Sequence, residues 1–206
     1  MRYLFATNNP GKVKEIRHIF ESAGLEFISL ADLGLAFTPE ETGTTFKINA
    51  IQKVTKTAEY LHAQGVKSDI AILSDDSGLC IDALSGLPGV DSATFMGADT
   101  PYNERNEHII EMLSDVPKTQ RIARYLCVIA CLLPDGTIET TSGEVEGLIT
   151  SEPKGDKGFG YDPIFFSPIY GKTMAELEDN DKNIISHRGK ALRDMIQLLK
   201  TKELIK

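Results

Sequence analysis

The sequence predicts an α/β fold in which an elongated mixed β-sheet is flanked by helices, with two lobes and a central cleft. Short apolar runs alternate with amphipathic helical runs in the first half. Residues 70–74 are apolar almost throughout, which is typical of a strand buried on both faces. Pro134-Asp135-Gly136 joins two long strand-like runs and predicts a hairpin. The hairpin adds antiparallel strands and extends as the second lobe of one domain, 1–206.

The first half contains three predicted strands and two predicted helices. The strands are expected at 2–6, 26–30 and 70–74, and the helices at 13–23 and 46–64. Gly24 is placed to end the first helix. Residues 32–45 contain Pro39, Gly43 and an acidic patch, so this segment is expected to be irregular.

The second half begins with a turn expected at 86–89 and a helix at 103–113. The long hairpin strands are expected at 122–133 and 137–149, followed by a glycine-rich loop at 155–160 and a strand at 164–166. Thr173 to Glu176 form a capping box that predicts a short helix. A final amphipathic helix is expected from about His187.

The composition narrows the class of protein. The chain has 206 residues, 41% of them apolar, and a net charge of −8, which argues against a general binder of nucleic acid. Cys80, Cys127 and Cys131 lie in apolar runs and are expected to be buried reduced thiols. The N-terminus lacks the pattern of a secretion signal, and no apolar run approaches about 20 residues. We therefore expect a cytoplasmic protein that does not bind membranes.

Two polar segments stand where a helix begins. Thr7-Asn8-Asn9-Pro10-Gly11-Lys12 follows the first strand, and Ser186-His187-Arg188 opens the last helix. Free backbone N–H groups and the helix dipole favour anions at such positions. The first segment is not a P-loop, because it lacks the first glycine and the Ser/Thr after Lys12. For Arg188 the alternative is an ion pair with a preceding acid.

Asp75-Asp76 is the leading metal candidate. Mg²⁺ prefers carboxylate oxygens and waters and leaves positions for phosphate oxygens. The alternative is a turn or cap formed with Ser77-Gly78, since Asp and Ser favour such positions. Glu40 and Glu41 lie in the irregular segment and are either a further carboxylate ligand or solvated charge.

Phe159-Gly160-Tyr161-Asp162-Pro163 places two aromatic rings and a carboxylate around a glycine. One of the rings could stack on a nucleobase, and Asp162 could accept hydrogen bonds from its N–H groups. The alternative is an ordinary glycine turn that leads into the strand at 164–166.

These segments together closely resemble the inosine/xanthosine triphosphate pyrophosphatase family. The resemblance covers nearly the whole chain, in the right order, through Thr7-x-Asn9-x-x-Lys12, Glu41-Thr42-Gly43-x-Thr45-Phe46, Asp75-Asp76-Ser77-Gly78-Leu79, Gly158-Phe159-Gly160-Tyr161-Asp162-Pro163 and Ser186-His187-Arg188. It implies Mg²⁺-dependent hydrolysis of ITP, dITP and XTP to the monophosphate and pyrophosphate, by a homodimer. Such an enzyme removes these nucleotides before polymerases use them.

The resemblance also implies roles by position. Asp76 would hold Mg²⁺ and act as general base, and Ser77 would contact the substrate. Thr7 to Lys12 would hold the triphosphate. The base and sugar would be bound by Phe159, Gly160, Tyr161, Asp162, Lys182, His187 and Arg188.

Two positions depart from the family pattern. The family commonly has Phe-x-Glu-Asn-Ala, whereas this chain has Ile48 in place of the glutamate. We expect Glu41 to serve as the second metal ligand, with Glu40 and Asp75 as alternatives. The common Ser-Ala-Arg is Ser92-Ala93-Thr94 here, so one cation is missing.

Two other functions compete with the pyrophosphatase. Ile48 favours a protein that binds purine nucleotides but has lost efficient catalysis. A metal-dependent phosphatase of a sugar phosphate would not need the aromatic segment at 159–162.

Overall fold

The structure is a computed structural model that describes residues 2–66, 69–202 and 204. Its strands are β1 (Arg2–Phe5), β2 (Phe27–Ser29), β3 (Ile70–Ile81), β4 (Ile122–Leu132), β5 (Ile138–Ile149), β6 (Phe165–Ser167) and β7 (Lys172–Thr173). Its α-helices are α1 (Pro10–Ser22), α2 (Phe46–Ala63), α3 (Tyr102–Met112), α4 (Asp179–Ile185) and α5 (His187–Thr201).

The strands form one mixed sheet in the order β2-β1-β3-β4-β5-β6-β7. β1 is parallel to both β2 and β3, whereas β6 is antiparallel to β5 and β7. The predicted α/β class with a mixed sheet is therefore confirmed.

The chain divides into two compact units. The first unit contains residues 1–76, 127–143 and 187–206, and the second contains 77–126 and 144–186. Whether the whole chain acts as the single domain predicted from the sequence stays a prediction.

Both faces of the first unit's sheet are buried. Successive side chains of a strand point to opposite faces, and here Tyr3 and Phe5 join a core with α1 and α5 while Leu4 joins a core with α2. The same alternation runs through the start of β3 and explains its uninterrupted apolar pattern. A separate core in the second unit contains side chains from β3 to β6 and α3.

Helix α1 begins earlier than the periodicity predicted. The side chain of Asn9 caps it by accepting from the backbone N–H of Lys12, and Pro10 occupies the first turn, where its missing N–H costs nothing. The prediction started at residue 13 because apolar periodicity begins only there. Gly24 ends the helix as expected, with φ at +72° and the N–H of Leu25 bonded to the carbonyl of Phe20.

The predicted end of strand β3 is also wrong. The sequence placed the end of this strand at residue 74 and the two aspartates beyond it. In the structure β3 continues through Asp75 and Asp76 to Ile81. Both carboxylates are buried, and they contact lysine side chains and the amide of Asn49. Because these contacts replace water, the strand continues through the two aspartates and no turn is needed to expose them.

The second half of the chain follows the prediction closely. The hairpin strands lie within one residue of their expected ends, and the capping box of Thr173 and Glu176 opens a 3₁₀ turn. Helix α4 and the two-residue strand β7 were not predicted. Neither has an apolar run long enough to produce a periodic signal.

Two of the three thiols are buried as predicted, whereas Cys80 is only half-buried. Cys80, Cys127 and Cys131 are free, and Cys127 and Cys131 are buried in the first unit's core. Burial raises the pKa of the Cys131 thiol to about 12. Within the described residues, the helices are too short or too polar to cross a membrane.

A close approach between β5 and the start of α5 yields a stability prediction. A Cβ atom added at Gly143 would lie 2.3 Å from the carbonyl oxygen of His187 and 2.7 Å from the backbone nitrogen of Ala191. We expect Gly143→Ala to lower the free energy of unfolding by about 1–3 kcal/mol, because backbone atoms must move apart. Urea unfolding measures this loss. The exposed neighbour Ser142 provides the control Ser142→Ala, and equal stability of the two variants would contradict the prediction.

Candidate active site

The register of two parallel strands positions the first half of the site. Phe5 of β1 lies beside Leu73 of β3, and the N–H of Ala6 donates to the carbonyl of Leu73 at 2.7 Å. The chain then leaves β1 into the polar segment at 7–12 while β3 continues into Asp75. The predicted phosphate segment and the acidic pair are therefore brought together within the first unit.

The segment at 7–12 is ordered by its own polar side chains. The hydroxyl of Thr7 accepts from the N–H of Asn9, and the side chain of Asn9 caps α1. The side-chain amide of Asn8 donates to the carbonyl of Phe37 and to the hydroxyl of Thr38. This amide therefore ties the segment to the irregular stretch that carries Glu41.

Asp75 is the centre of an ion-pair network. The ammonium of Lys12 lies 2.9 Å from Oδ2 of Asp75, and the guanidinium Nε of Arg188 lies 3.1 Å from the same oxygen. Arg188 also pairs with Glu15 of α1. The predicted alternative for Arg188, an ion pair with a preceding acid, is thus present in the structure.

Asp76 faces a different set of partners. Two residues one turn apart on α2 reach it: the amide Nδ2 of Asn49 donates to Oδ2 at 3.0 Å, and the ammonium of Lys53 lies 3.1 Å from Oδ1. The same ammonium lies 2.8 Å from a carboxylate oxygen of Glu41. Lys53 therefore joins the two carboxylates that the sequence predicts as metal ligands.

The two adjacent aspartates have opposite pKa shifts. Burial acts against ionisation of Asp75, yet the charges of Lys12, Arg188 and Lys53 hold its pKa well below its usual range. For Asp76, burial and the charge of Glu41 outweigh the attraction of Lys53 and raise its pKa to about 6. Asp75 is thus a fixed anion, whereas Asp76 lacks enough positive charge around it.

The surroundings of Asp76 show whether these residues fit a divalent cation. The carboxylates of Glu41 and Asp76 both lie against one ammonium, that of Lys53. Their oxygen atoms are the kind of donor that suits Mg²⁺. In the described part of the chain no three acidic, histidine or cysteine side chains converge to hold a metal by themselves.

Five of the predicted base-binding residues, Phe159 to Asp162 and Lys182, lie together in the second unit, whereas His187 and Arg188 belong to the first. Oδ2 of Asp162 accepts from the N–H of Phe159 and from the ammonium of Lys182, both at 2.8 Å. That ammonium also lies 5.0 Å from the centre of the Phe159 ring. Gly158, with φ at +73°, has no room for a Cβ, which would lie 2.3 Å from Asp162. The result is a buried ion pair covered by one aromatic face.

Neighbouring residues fix the shape of this turn. The hydroxyl of Tyr125 donates to Oδ1 of Asp162, and the side chain of Asn106 donates to the carbonyl of Gly160. The hydroxyl of Tyr161 donates to the carbonyl of Ser92. The backbone around Gly160 is therefore held on both sides.

The remaining predicted residues are placed as follows. His187 is the first residue of α5 and is buried, and Ser77 follows Asp76 in β3 and is half-buried. Ile48 lies on α2 with 43% of its surface exposed. The predicted residues thus fall into two sets. The first unit holds 7–12, Glu41, Asp76, His187 and Arg188, and the second holds Ser77, 159–162 and Lys182.

Sequence reasoning missed three residues of the first unit that contact the predicted site: Glu15, Asn49 and Lys53. Each is a polar residue on a helix whose apolar pattern was attributed to the core. A signal for two of them exists, since Asn49 and Lys53 are four residues apart and therefore share one face of α2. Lys53 is only 7% exposed, so its charge needs the partners described above.

Fold and site together define an α/β protein with a cluster of carboxylates and cations at the junction of β1, β3 and α2. A model of the Ham1 family matches residues 3–198, and the chain belongs to that family. The resemblance found in the sequence is confirmed.

Individual relatives agree with the family match. The chain is 44% identical to a dITP/XTP pyrophosphatase of Desulforamulus reducens over 97% of its own length and 96% of the relative's. It is 43% identical to the Bacillus subtilis protein of that name, over 95% of its own length and 96% of the relative's. A solved HAM1 protein of Coxiella burnetii aligns with a TM-score of 0.83 at 35% identity, covering 98% of this chain and 99% of the other.

The ion pair between Arg188 and Asp75 predicts a coupling that can be measured. Each side chain is at most 3% exposed, so removing one takes an opposite charge away from a buried charge that remains. We expect Arg188→Met to lower the free energy of unfolding by about 3 kcal/mol. Combined with Asp75→Asn, the loss should be smaller than the sum of the single losses by about 1 kcal/mol or more.

Urea unfolding of the wild type, both single variants and the double variant measures the coupling. The exposed pair Arg2–Asp69 supplies a control, since Arg2→Met should cost less than about 1 kcal/mol. Additive losses for Arg188 and Asp75 would show that the two side chains do not stabilise each other.

Proposed function

We propose that this protein hydrolyses the non-canonical purine nucleoside triphosphates ITP, dITP and XTP to the monophosphate and pyrophosphate, in a reaction that depends on Mg²⁺. The observation that carries the proposal is the cluster in which Lys12, Lys53 and Glu41 surround the buried pair Asp75–Asp76. Relatives more than 40% identical over nearly the whole chain are named dITP/XTP pyrophosphatase. They do not favour the alternative of a nucleotide-binding protein without efficient catalysis.

The first unit would handle the triphosphate. The N-terminus of α1 and the ammonium of Lys12 favour phosphate oxygens. Asp76 and Glu41 would hold Mg²⁺, which when bound screens phosphate charge and makes water easier to deprotonate. Asp76 would accept the proton of the water that attacks the phosphorus next to the sugar, and pyrophosphate leaves with its charge balanced by lysines.

The second unit would recognise the base. Phe159 offers a face for stacking, and the ammonium of Lys182 is a donor for the O6 acceptor of hypoxanthine and xanthine. Guanine has the same O6 acceptor, so rejection of GTP would depend on its 2-amino group. Adenine has an amino group in place of O6, so the ammonium would meet a donor instead. An unmatched polar pair in a dry pocket costs several kcal/mol, on the order of 1–3 for each group.

A substrate panel tests the proposal directly. Purified protein with Mg²⁺ is incubated separately with ITP, dITP, XTP, ATP and GTP, and pyrophosphate is quantified against orthophosphate. Pyrophosphate from the first three, with little from ATP and GTP, is expected. Binding without turnover would support the nucleotide-binding alternative, and orthophosphate without base preference would support a sugar-phosphate phosphatase.

Asp76 gives the sharpest catalytic prediction. Asp76→Asn keeps the size of the side chain but removes a proton acceptor, so we expect kcat for dITP to fall at least a hundredfold, about the scale of general base catalysis. Circular dichroism and the urea midpoint should show an intact fold. A fully active variant would remove Asp76 from the mechanism.

Ile48 allows a gain of metal affinity to be tested. Ile48→Glu restores the carboxylate common in the family at an exposed position beside Asn49. We expect half-maximal activity at about threefold lower Mg²⁺, because a further oxygen ligand strengthens cation binding. The matched control is Ile48→Gln, which has nearly the same shape without the charge. Identical Mg²⁺ titrations of both variants would show that position 48 does not contact the metal.

A homodimer and a cytoplasmic location complete the proposal. The second unit exposes several large apolar side chains, and these are candidates for a subunit contact: Leu87, Met96, Tyr102, Met112, Ile169 and Ile184. Light scattering on a sizing column gives the mass in solution. A mass of about 45 kDa, twice the 22.6 kDa of one chain, is expected.

A further inference from the structure

Asn49 makes hydrogen bonds from both ends of its side-chain amide. Oδ1 accepts from the backbone N–H of Gly43 at 2.7 Å, and Nδ2 donates to Oδ2 of Asp76 at 3.0 Å. The residue is 3% exposed. One amide thus links the irregular segment that carries Glu41 to the carboxylate of Asp76.

Close packing makes this link rigid. A Cβ atom added at Gly43 would lie 2.6 Å from Oδ1 of Asn49 and 2.6 Å from Cγ2 of Ile48. The backbone at Gly43 can therefore approach the start of α2 only because glycine stands there. Glu41 lies two residues before this anchor, and its carboxylate reaches the ammonium of Lys53 at 2.8 Å.

The contacts of Asp76 show what the link does. Lys53 occupies Oδ1 of Asp76 and Asn49 occupies Oδ2, so the orientation of the carboxylate is fixed by two donors on one helix face. Of these two residues, Asn49 also bonds to the backbone near Glu41, at the N–H of Gly43. Its amide sets the orientation of Asp76 and the position of the Glu41 segment at the same time.

We propose that Asn49 is a positioning residue that holds the Glu41 segment and Asp76 in one fixed arrangement, an inference that rests on the proposed function. It acts through Asp76 and Glu41 and does not itself touch the reacting atoms. Without the amide of Asn49, the carboxylate of Asp76 can rotate and the segment that carries Glu41 can move away. The carboxylates of Asp76 and Glu41 would then no longer be held in position to bind one cation.

The two ends of the amide can be tested separately. Asn49→Asp keeps an acceptor for the N–H of Gly43 but loses the donor to Asp76. Asn49→Ala loses both bonds. The control is Gln52→Ala on the same helix, since Gln52 contacts the segment at Thr42 through solvent-exposed bonds of 3.3–3.4 Å.

Amide hydrogen exchange, measured on the protein without nucleotide or metal, tests the bond between the N–H of Gly43 and Asn49. We expect the N–H of Gly43 to exchange at least about tenfold faster in Asn49→Ala, and at close to the wild-type rate in Asn49→Asp and Gln52→Ala. Unchanged protection in Asn49→Ala would overturn the proposal. If Asn49→Ala does not fold by circular dichroism, Asn49→Asp decides through its kinetics.

Steady-state kinetics with dITP and Mg²⁺ test the bond between Asn49 and Asp76. We expect kcat to fall about tenfold or more in Asn49→Asp while KM for dITP changes less than about threefold, because the phosphate segment at 7–12 is untouched. Wild-type kcat in Asn49→Asp would overturn the proposal. Failure of the wild type to release pyrophosphate would instead overturn the proposed function, and the exchange result would still decide whether Asn49 holds the Glu41 segment.

Discussion

The neutralisation of Asp75 is the constraint on which the first unit depends. A carboxylate that is 2% exposed cannot stay ionised without partners, because removing a charge from water costs several kcal/mol. Lys12 and Arg188 supply those partners, and they come from α1 and α5. The position of both helices on the sheet is therefore fixed by charge as well as by the apolar core between them.

The neighbouring carboxylate shows how one strand provides two different groups. In a strand, adjacent side chains point to opposite faces, so Asp75 and Asp76 meet different helices. Asp75 meets Lys12 and Arg188, the second of which also pairs with Glu15, whereas Asp76 shares the ammonium of Lys53 with Glu41. The structural anion and the carboxylate that is available for a further cation are thus consecutive residues of one strand.

Apolar periodicity predicted most of the elements, because core faces repeat regularly along α2, the hairpin strands and α5. It failed where polar residues are buried. The end of β3 was misplaced because Asp75 and Asp76 look like surface residues until Lys12, Lys53 and Arg188 are brought to them. Local spacing also contains no sign of these pairs, since Arg188 is 113 residues from Asp75 along the chain.

The first unit is built from three separate stretches of chain, and Asp75 and Arg188 lie in the first and the last of them. Protein synthesis proceeds from the N-terminus, so the acid emerges from the ribosome long before its arginine has been made. Until then Lys12, from the same stretch as Asp75, is the cation available to that carboxylate from the pair described above. The charge balance around Asp75 is therefore complete only when the final helix has been added.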